Sequence, residues 1–230
     1  MVTTFTPEDH ARVAAAIATA ERTTSGEIFC VFAKRVSSYR DVSLGWAGAA
    51  ALILPMLLIP LGFNAAWFPG LGESWQAAHL AAGSVTIGET LAAYAVIQTA
   101  VFVAVLLTTC IPLVLRLVTP RSVRRARVRR AALQQFLAHG LHTTEHRTGV
   151  LIFAALADRQ VEIIADEGIY SKVDTEIWAK AVDSLTKALR ADRPAEGFES
   201  AIALTGEGLA THFPPRANNP DELPNRLVEI

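Results

Sequence analysis

Two acidic residues directly follow an apolar stretch in the second half of the chain. Val161–Ala165 is typical of a strand, and Asp166 and Glu167 end it just before a glycine. Carboxylates gathered at a strand end could bind a hard cation such as Ca²⁺ or Mg²⁺, which takes several oxygen ligands. We therefore select Asp166, Glu167 and Glu145 as candidate metal ligands, with Glu27 as further support if the fold brings it close. The alternative is an acidic turn that caps the following helix.

A second pattern, His142-Thr-Thr-Glu145-His146, matches the H-x-x-E-H string of inverted zinc peptidases. On a helix its two histidines would face the same way and could bind zinc. However, two β-branched threonines lie inside the string, and a predicted strand begins within four residues of its end. We therefore expect a loop or a frayed helix end, with adventitious metal binding at most.

Signatures of catalysis are absent from the sequence. It has no nucleophile motif, no phosphate-cradling glycine loop and no pair of cysteines at metal-ligand spacing. The sequence thus offers no catalytic residue and does not predict an enzyme.

Six arginines within ten residues form a basic segment. Such a segment beside a membrane attracts anionic head groups and sets topology, each charge contributing about 1 kcal/mol near the surface. Nucleic acid is not expected as a partner, because no aromatic residues for base stacking alternate with the arginines. We predict contact with membrane lipids for Arg121, Arg124, Arg125, Arg127, Arg129 and Arg130.

Charge is strongly segregated along these 230 residues, although the net charge is only −1. Residues 42–115 contain no Lys or Arg and only two acidic residues, Glu73 and Glu89. Residues 116–147 carry eight Arg and one acid, and residues 148–230 carry 14 acids and eight bases. Intrinsic disorder is excluded, because 51% of the residues are hydrophobic. The pattern indicates a membrane protein with a soluble part.

Two uncharged segments, Val42–Phe63 and Leu91–Leu115, are long enough to cross a hydrocarbon core of about 30 Å. Lys and Arg flank both segments, whereas the connecting residues 64–90 have none. The positive-inside rule therefore predicts a two-pass protein of the inner (plasma) membrane with both termini in the cytoplasm. The alternative, two buried helices of a soluble protein, leaves too little other chain to enclose them. Small residues at Gly45, Gly48, Ala49 and Ala51 could support a homo-oligomer or a membrane-protein partner.

The remaining segments predict one soluble domain that the membrane hairpin interrupts. Thr6 followed by proline begins a helix, and Glu27–Ala33 is a short strand. After the hairpin come a helix over Arg121–His139, a two-stranded hairpin over Val150–Ala165, and two further helices. The predicted organisation is residues 1–41 and 119–213 as one α/β domain, residues 42–118 as the transmembrane hairpin, and residues 214–230 as a polar tail.

Several stretches resemble the TPM-domain family, and the end of the chain is similar to a bacterial membrane-anchored branch of it. The matching stretches are Ser25-Gly26-Glu27-Ile28, Thr148-Gly149-Val150-Leu151-Ile152-Phe153, Val161–Ile169 and Glu222-Leu-Pro-Asn225. The resemblance implies a three-layer α/β sandwich. For some members it implies acid-phosphatase activity or divalent-metal binding, and for others only a role in assembling or repairing membrane complexes. Arg147-Thr148-Gly149 departs from the family pattern, which has an acidic residue before this strand.

The functional hypothesis is an integral membrane protein whose cytoplasmic domain acts as a non-catalytic interaction or assembly module for a membrane complex. The alternative is a metal-dependent, phosphatase-like hydrolase that uses Asp166 and nearby carboxylates. The sequence does not define a cofactor, and a divalent cation such as Ca²⁺ or Mg²⁺ is the candidate.

Overall fold

The chain divides into two compact units. The computed structural model describes residues 4–58, 60, 87–216 and 221–230. One unit joins Met1–Ser38 to Arg121–Ile230, and the other is Tyr39–Pro120. We call the first the sheet unit and the second the helical unit.

The described elements are as follows in chain order. They are α1 (Pro7–Glu21), β1 (Glu27–Ala33), α2 (Arg40–Leu58), α3 (Ile87–Thr109), α4 (Pro112–Val118), α5 (Arg121–Ala138), a 3₁₀ turn (Leu141–Thr143), β2 (Gly149–Ala155), β3 (Gln160–Ala165), α6 (Glu167–Tyr170), α7 (Thr175–Arg190), α8 (Pro194–His212) and β4 (Leu227–Glu229).

The sheet unit is built on a four-stranded sheet in the order β3-β2-β1-β4. Strand β1 runs parallel to β2 and β4, and β3 runs antiparallel to β2. Glu27 is opposite Gly149, and Val150 is opposite Ala165. The starts of β1 and β2 and the end of β3 therefore lie at one edge of the sheet.

Helices cover both faces of this sheet. Along β1 and β2 alternate residues point to opposite faces, so each strand contributes to two cores. One face packs under α1, α7 and α8, with Ile28, Phe32 and Ile152 among its buried residues. On the other face, Phe29 and Phe153 lie among buried residues of α5. Both faces of β1 and β2 are thus buried, and the predicted α/β fold class is confirmed.

Local sequence sets the ends of the helices in this unit. Thr6 and Asp9 form a capping box at the start of α1, and Pro7 occupies its first turn. Asp174 caps α7 by accepting a hydrogen bond from the Glu176 amide at 3.0 Å. Helix α7 consequently begins at Thr175, four residues after the Ser171 start that the apolar spacing predicts.

The C-terminal residues differ from the predicted polar tail. Leu227–Glu229 forms β4, and Leu227 is only 4% exposed in the core. The Ile230 amide also donates to the Phe32 carbonyl at 3.0 Å. A strand of three residues is too short for its alternation to be recognised in a sequence, and only its long-range pairing with β1 defines it.

The helical unit contains α2, α3 and α4, and α2 packs against α3. The indole Nε1 of Trp46 donates to the Val118 carbonyl at 3.0 Å. No residue from Leu91 to Thr108 is buried, and many apolar side chains are exposed on α2 as well. Thr99 and Thr108 bond back to carbonyls on their own helix, which satisfies their hydroxyls without water.

The predicted two-helix transmembrane hairpin and its two-pass topology are not shown by the described residues. Among the described residues, Leu91–Thr109 is long and apolar enough to cross a membrane. The predicted first span, Val42–Phe63, includes residues 59 and 61–63, which lie outside the described residues, as do residues 64–86. The second predicted span, Leu91–Leu115, is not one continuous helix in the structure. Helix α3 ends at Thr109, and Pro112 begins a new helix.

Candidate metal centre

Three carboxylates converge at the edge of the sheet where β1 begins. Glu21, Glu27 and Asp221 each offer one carboxylate oxygen, and these three oxygens lie within 4.8 Å of one another. Glu27 is 3% exposed and Glu21 is 9% exposed, whereas Asp221 is open to solvent. We call these three residues the carboxylate cluster.

Three separate parts of the chain position the carboxylate cluster. Glu21 is the last residue of α1, and its Oε1 accepts the Ile28 amide at 2.9 Å. Glu27 is the first residue of β1, and its Oε2 accepts the Leu223 amide at 3.3 Å. Asp221 accepts from the side-chain amide of Asn225 at 3.1 Å. The cluster therefore depends on the C-terminal segment returning to β1.

The neighbouring backbone holds the start of β1 rigidly. The Glu27 amide donates to the Thr148 carbonyl at 3.0 Å, and the Thr148 hydroxyl donates to the Ser25 carbonyl at 3.1 Å. A Cβ on Gly149 would collide with the Leu141 carbonyl, so this close approach of two backbones requires glycine. These contacts hold the backbone of Glu27, and the Leu223 amide of the C-terminal segment holds its carboxylate.

The carboxylate cluster is electrostatically unfavourable as it stands. Burial, followed by the charges of Glu27 and Asp221, raises the pKa of Glu21 to about 8, although the Ile28 amide opposes this change. Burial also raises the pKa of Glu27 to about 7, with added repulsion from Asp221 and Glu222. Glu21 further lies at the C-terminal end of α1, where the helix dipole disfavours a negative charge.

No basic side chain in the described part of the chain balances these charges. Within residues 4–58, 60, 87–216 and 221–230, none of the three carboxylates forms an ion pair. Buried carboxylates usually have a cationic partner or a metal ion, because an isolated buried charge is costly. The arrangement is the kind of oxygen-rich site that Ca²⁺ and Mg²⁺ occupy in proteins.

Two neighbours extend this site. The side chain of Asn225 also hydrogen-bonds Glu21, and its Oδ1 is buried without a hydrogen-bond partner. Glu222 accepts the Glu145 amide at 3.0 Å, which ties the C-terminal segment to the loop before β2. The amide nitrogen of Asn225 faces Asp221, and its unpaired Oδ1 is a further potential ligand for a hard cation once the amide rotates.

The residues predicted as metal ligands lie near the same sheet edge but outside the carboxylate cluster. Asp166 caps α6, its Oδ1 accepting the Glu167 amide at 2.6 Å, and its Oδ2 is buried without a partner. Glu167 is exposed on the first turn of α6. The Glu145 side chain is exposed and lies 3.7 Å from His146. Glu27, which the sequence offered as a supporting residue, is the one that joins a cluster.

The H-x-x-E-H string does not form a helical zinc site. Its first residues lie in the 3₁₀ turn Leu141–Thr143, and Glu145 and His146 follow in a loop. His142 and His146 are both exposed. This agrees with the expected loop and excludes the helical geometry that an inverted zinc peptidase needs.

The predicted basic segment falls on α5. Arg125 and Arg129 approach Glu162 of β3 at 3.9 and 3.8 Å, and Arg127 donates to the Ser37 hydroxyl at 2.6 Å. Arg121 and Arg130 are exposed and Arg124 is partly buried. Burial raises the pKa of Glu162, and the charges of Arg125 and Arg129 partly offset this change.

Sequence reasoning missed Glu21 and Asp221. Glu21 could have been recognised as an acid in the last turn of a helix, a position that its dipole disfavours. Asp221 belongs to a segment that was expected to be a tail, so no local pattern predicted its contact with a residue about two hundred positions earlier. The Glu222-Leu-Pro-Asn225 resemblance is the one sequence signal in this segment, and it carries no chemical role.

Comparison with known proteins identifies one domain. Residues 113–207 match the family model of the TPM domain. This match runs from α4 into α8 and confirms the resemblance for that part of the chain. The carboxylate cluster lies outside the matched residues. No curated protein matches the chain.

One solved structure is similar over the full length. It is the NMR structure of the BA42 protein from the psychrophilic bacterium Bizionia argentinensis, with a TM-score of 0.55 and 18% sequence identity. The alignment covers 100% of this chain and 99% of that chain. At this identity the likeness shows a shared fold alone.

Proposed function

We propose that the sheet unit binds a hard divalent cation at Glu21, Glu27 and Asp221, as a non-catalytic module of a membrane-associated protein. The observation that carries this proposal is the convergence of three carboxylate oxygens within 4.8 Å without an ion-pair partner among the described residues. A divalent cation would replace mutual repulsion by attraction, and its oxygen preference matches all three side chains.

Asn225 supplies a fourth oxygen in this proposal. Its amide nitrogen now faces the carboxylates, and a half-turn of the amide plane would exchange that nitrogen for Oδ1. This rotation would break the hydrogen bond from Nδ2 to Asp221 and move Nδ2 into the buried position of Oδ1, so the bond from Oδ1 to the cation would have to compensate. Asp221 is exposed, so water can complete the coordination shell from the solvent side.

The proposed membrane association rests on the helical unit and on charge. No residue from Leu91 to Thr108 is buried in the apolar helix, and the flanking Lys and Arg favour both termini in the cytoplasm. The cation would then serve to hold the C-terminal segment on β1, so that the sheet unit presents a fixed surface to a membrane complex.

A metal-dependent hydrolase is the second candidate. The exposure of Asp221 favours it, because a cation reached from solvent can keep an open coordination position for a phosphoester. Turnover of p-nitrophenyl phosphate by the purified protein, dependent on Ca²⁺ or Mg²⁺ and lost in Glu27→Gln, would support hydrolysis. Cation binding without turnover would leave the non-catalytic module.

The direct test is calorimetric titration of Ca²⁺ and Mg²⁺ into the full-length protein in detergent. Glu27→Gln and Asp221→Asn each remove one charge while keeping the side-chain shape, and we expect either to weaken binding by at least about tenfold. Asp166→Asn is the matched control, since Asp166 lies near the same sheet edge but outside the carboxylate cluster. Loss of binding in Asp166→Asn alone would place the cation elsewhere and contradict the proposal.

A further inference from the structure

Helix α5 has a solvent-facing side with two different halves. Val128, Ala132 and Phe136 are buried in the core beside β1 and β2. On the opposite side Leu133 and Leu137 are 47% and 51% exposed, four residues apart and hence on one stripe. Two exposed leucines on the helix side that also carries Arg129 and Arg130 indicate a partner with an apolar component.

The first half of the same side is basic. The side chains of Arg125 and Arg129 are 78% and 71% exposed, and Arg130 precedes Leu133 by three positions. Arg121–Ala138 contains no acidic residue. Glu162 is the carboxylate that α5 approaches in the described structure, at 3.8 to 3.9 Å, and one carboxylate cannot balance both arginines.

We propose that this solvent-facing side of α5 docks on an anionic phospholipid surface. Arg125, Arg129 and Arg130 would contact lipid phosphates, and Leu133 and Leu137 would enter the boundary between head groups and acyl chains. A basic half followed by an apolar half along one helix side is the pattern of interfacial helices. The inference rests on the proposed membrane association, and it adds to the predicted arginine contacts the insertion of Leu133 and Leu137 on the same helix side.

Chain connectivity supports a membrane as the occupant. Arg121 follows Thr109, the end of the candidate span, by 12 residues. Even a fully extended link of this length reaches only about 40 Å, so α5 cannot leave the vicinity of a bilayer that contains the span. At such proximity a modest affinity suffices for docking, because tethering raises the effective concentration of the surface.

Other binding partners fit the solvent-facing side of α5 less well than a membrane does. A second copy of α5 would bring arginines against arginines, which is unfavourable. Nucleic acid binding on single strands uses exposed aromatic residues for stacking, and Phe136, the aromatic residue of α5, is buried. An anionic bilayer offers both negative charge and apolar depth to the same helix side.

The experiment places an environment-sensitive NBD label at Leu137→Cys in the full-length protein. The background carries Cys110→Ser, because Cys110 is exposed whereas Cys30 is buried. The protein is incorporated into nanodiscs of phosphatidylcholine alone or of phosphatidylcholine with phosphatidylglycerol. We expect a blue shift and a gain in NBD intensity in the anionic discs, and neither in the neutral discs.

Two variants sharpen the test. Replacing Arg125, Arg129 and Arg130 together by Gln should lower the docked-to-undocked ratio by about fivefold per arginine, and so roughly 100-fold, with loss of the NBD shift. The control label is at Glu207→Cys, exposed on α8, whose helix packs on the opposite face of the sheet. We expect this control to stay in an aqueous environment in both kinds of disc.

The outcomes separate this inference from the membrane proposal. A Leu137 label that stays aqueous in anionic discs, while the protein co-purifies with them, overturns the docking of α5 and leaves membrane association intact. An equal blue shift in neutral and anionic discs would indicate burial against protein and also overturns it. Failure to co-purify with either disc contradicts both proposals.

Discussion

Glu21 and Glu27 are two buried carboxyl groups with pKa values of about 8 and about 7. In the unfolded chain both would titrate near 4.5, the ordinary value for glutamate. The folded state therefore binds more protons than the unfolded state between about pH 4.5 and pH 8. Stability from these groups is fully present below about pH 4.5 and is lost as the pH rises through 7 and 8.

This difference predicts a pH-dependent stability of the sheet unit in the absence of divalent cations. With EDTA present, the free energy of unfolding should fall between pH 5 and pH 8.5, and Glu21→Gln should reduce that fall because it cannot ionise. Hydrogen exchange of the β1 amides measures the stability of this unit separately from the helical unit. If Glu21→Gln left the pH dependence unchanged, the raised pKa of Glu21 would be contradicted.

Elements whose signals are local could be predicted from the sequence, and those defined by long-range pairing could not. The Thr6 cap, the Glu27–Ala33 strand and the β2–β3 hairpin all lie where the sequence places them. Strand β4 and the position of Asp221 could not be predicted, because both depend on pairing with residues near the start of the chain. The metal prediction for Asp166 stays a prediction, and of the carboxylates that converge nearby the sequence offers Glu27 but neither Glu21 nor Asp221.

At the scale of elements, the start of β2 depends on a close backbone contact. Gly149→Ala would force a Cβ against the Leu141 carbonyl, and we expect it to destabilise the sheet unit by about 1–3 kcal/mol. Hydrogen exchange of the β1 and β2 amides measures the loss.

Gly45→Ala in α2 is the matched control for this prediction. A Cβ at Gly45 meets nothing within 4 Å, and alanine favours a helix more than glycine. We therefore expect no loss of stability in that variant. Equal effects of the two substitutions would mean that the contact with Leu141 does not govern the stability of β2.

At the scale of the whole molecule, the sheet unit is assembled from chain on both sides of the helical unit. Protease treatment of membrane vesicles tests the proposed orientation of these parts. In inside-out vesicles the sheet unit should be digested, and in right-side-out vesicles it should be protected. Survival of the sheet unit in inside-out vesicles would reverse the proposed topology.

The measurement that tests the central claim most directly is hydrogen exchange of the full-length protein with and without Ca²⁺, resolved by peptide. We predict that Ca²⁺ slows exchange in residues 21–28 and 221–227, which contain the carboxylate cluster and the amides that hold it. Residues 158–172, around Asp166 and Glu167, should change little. Slower exchange confined to residues 158–172, or no change anywhere, would contradict a cation site at Glu21, Glu27 and Asp221.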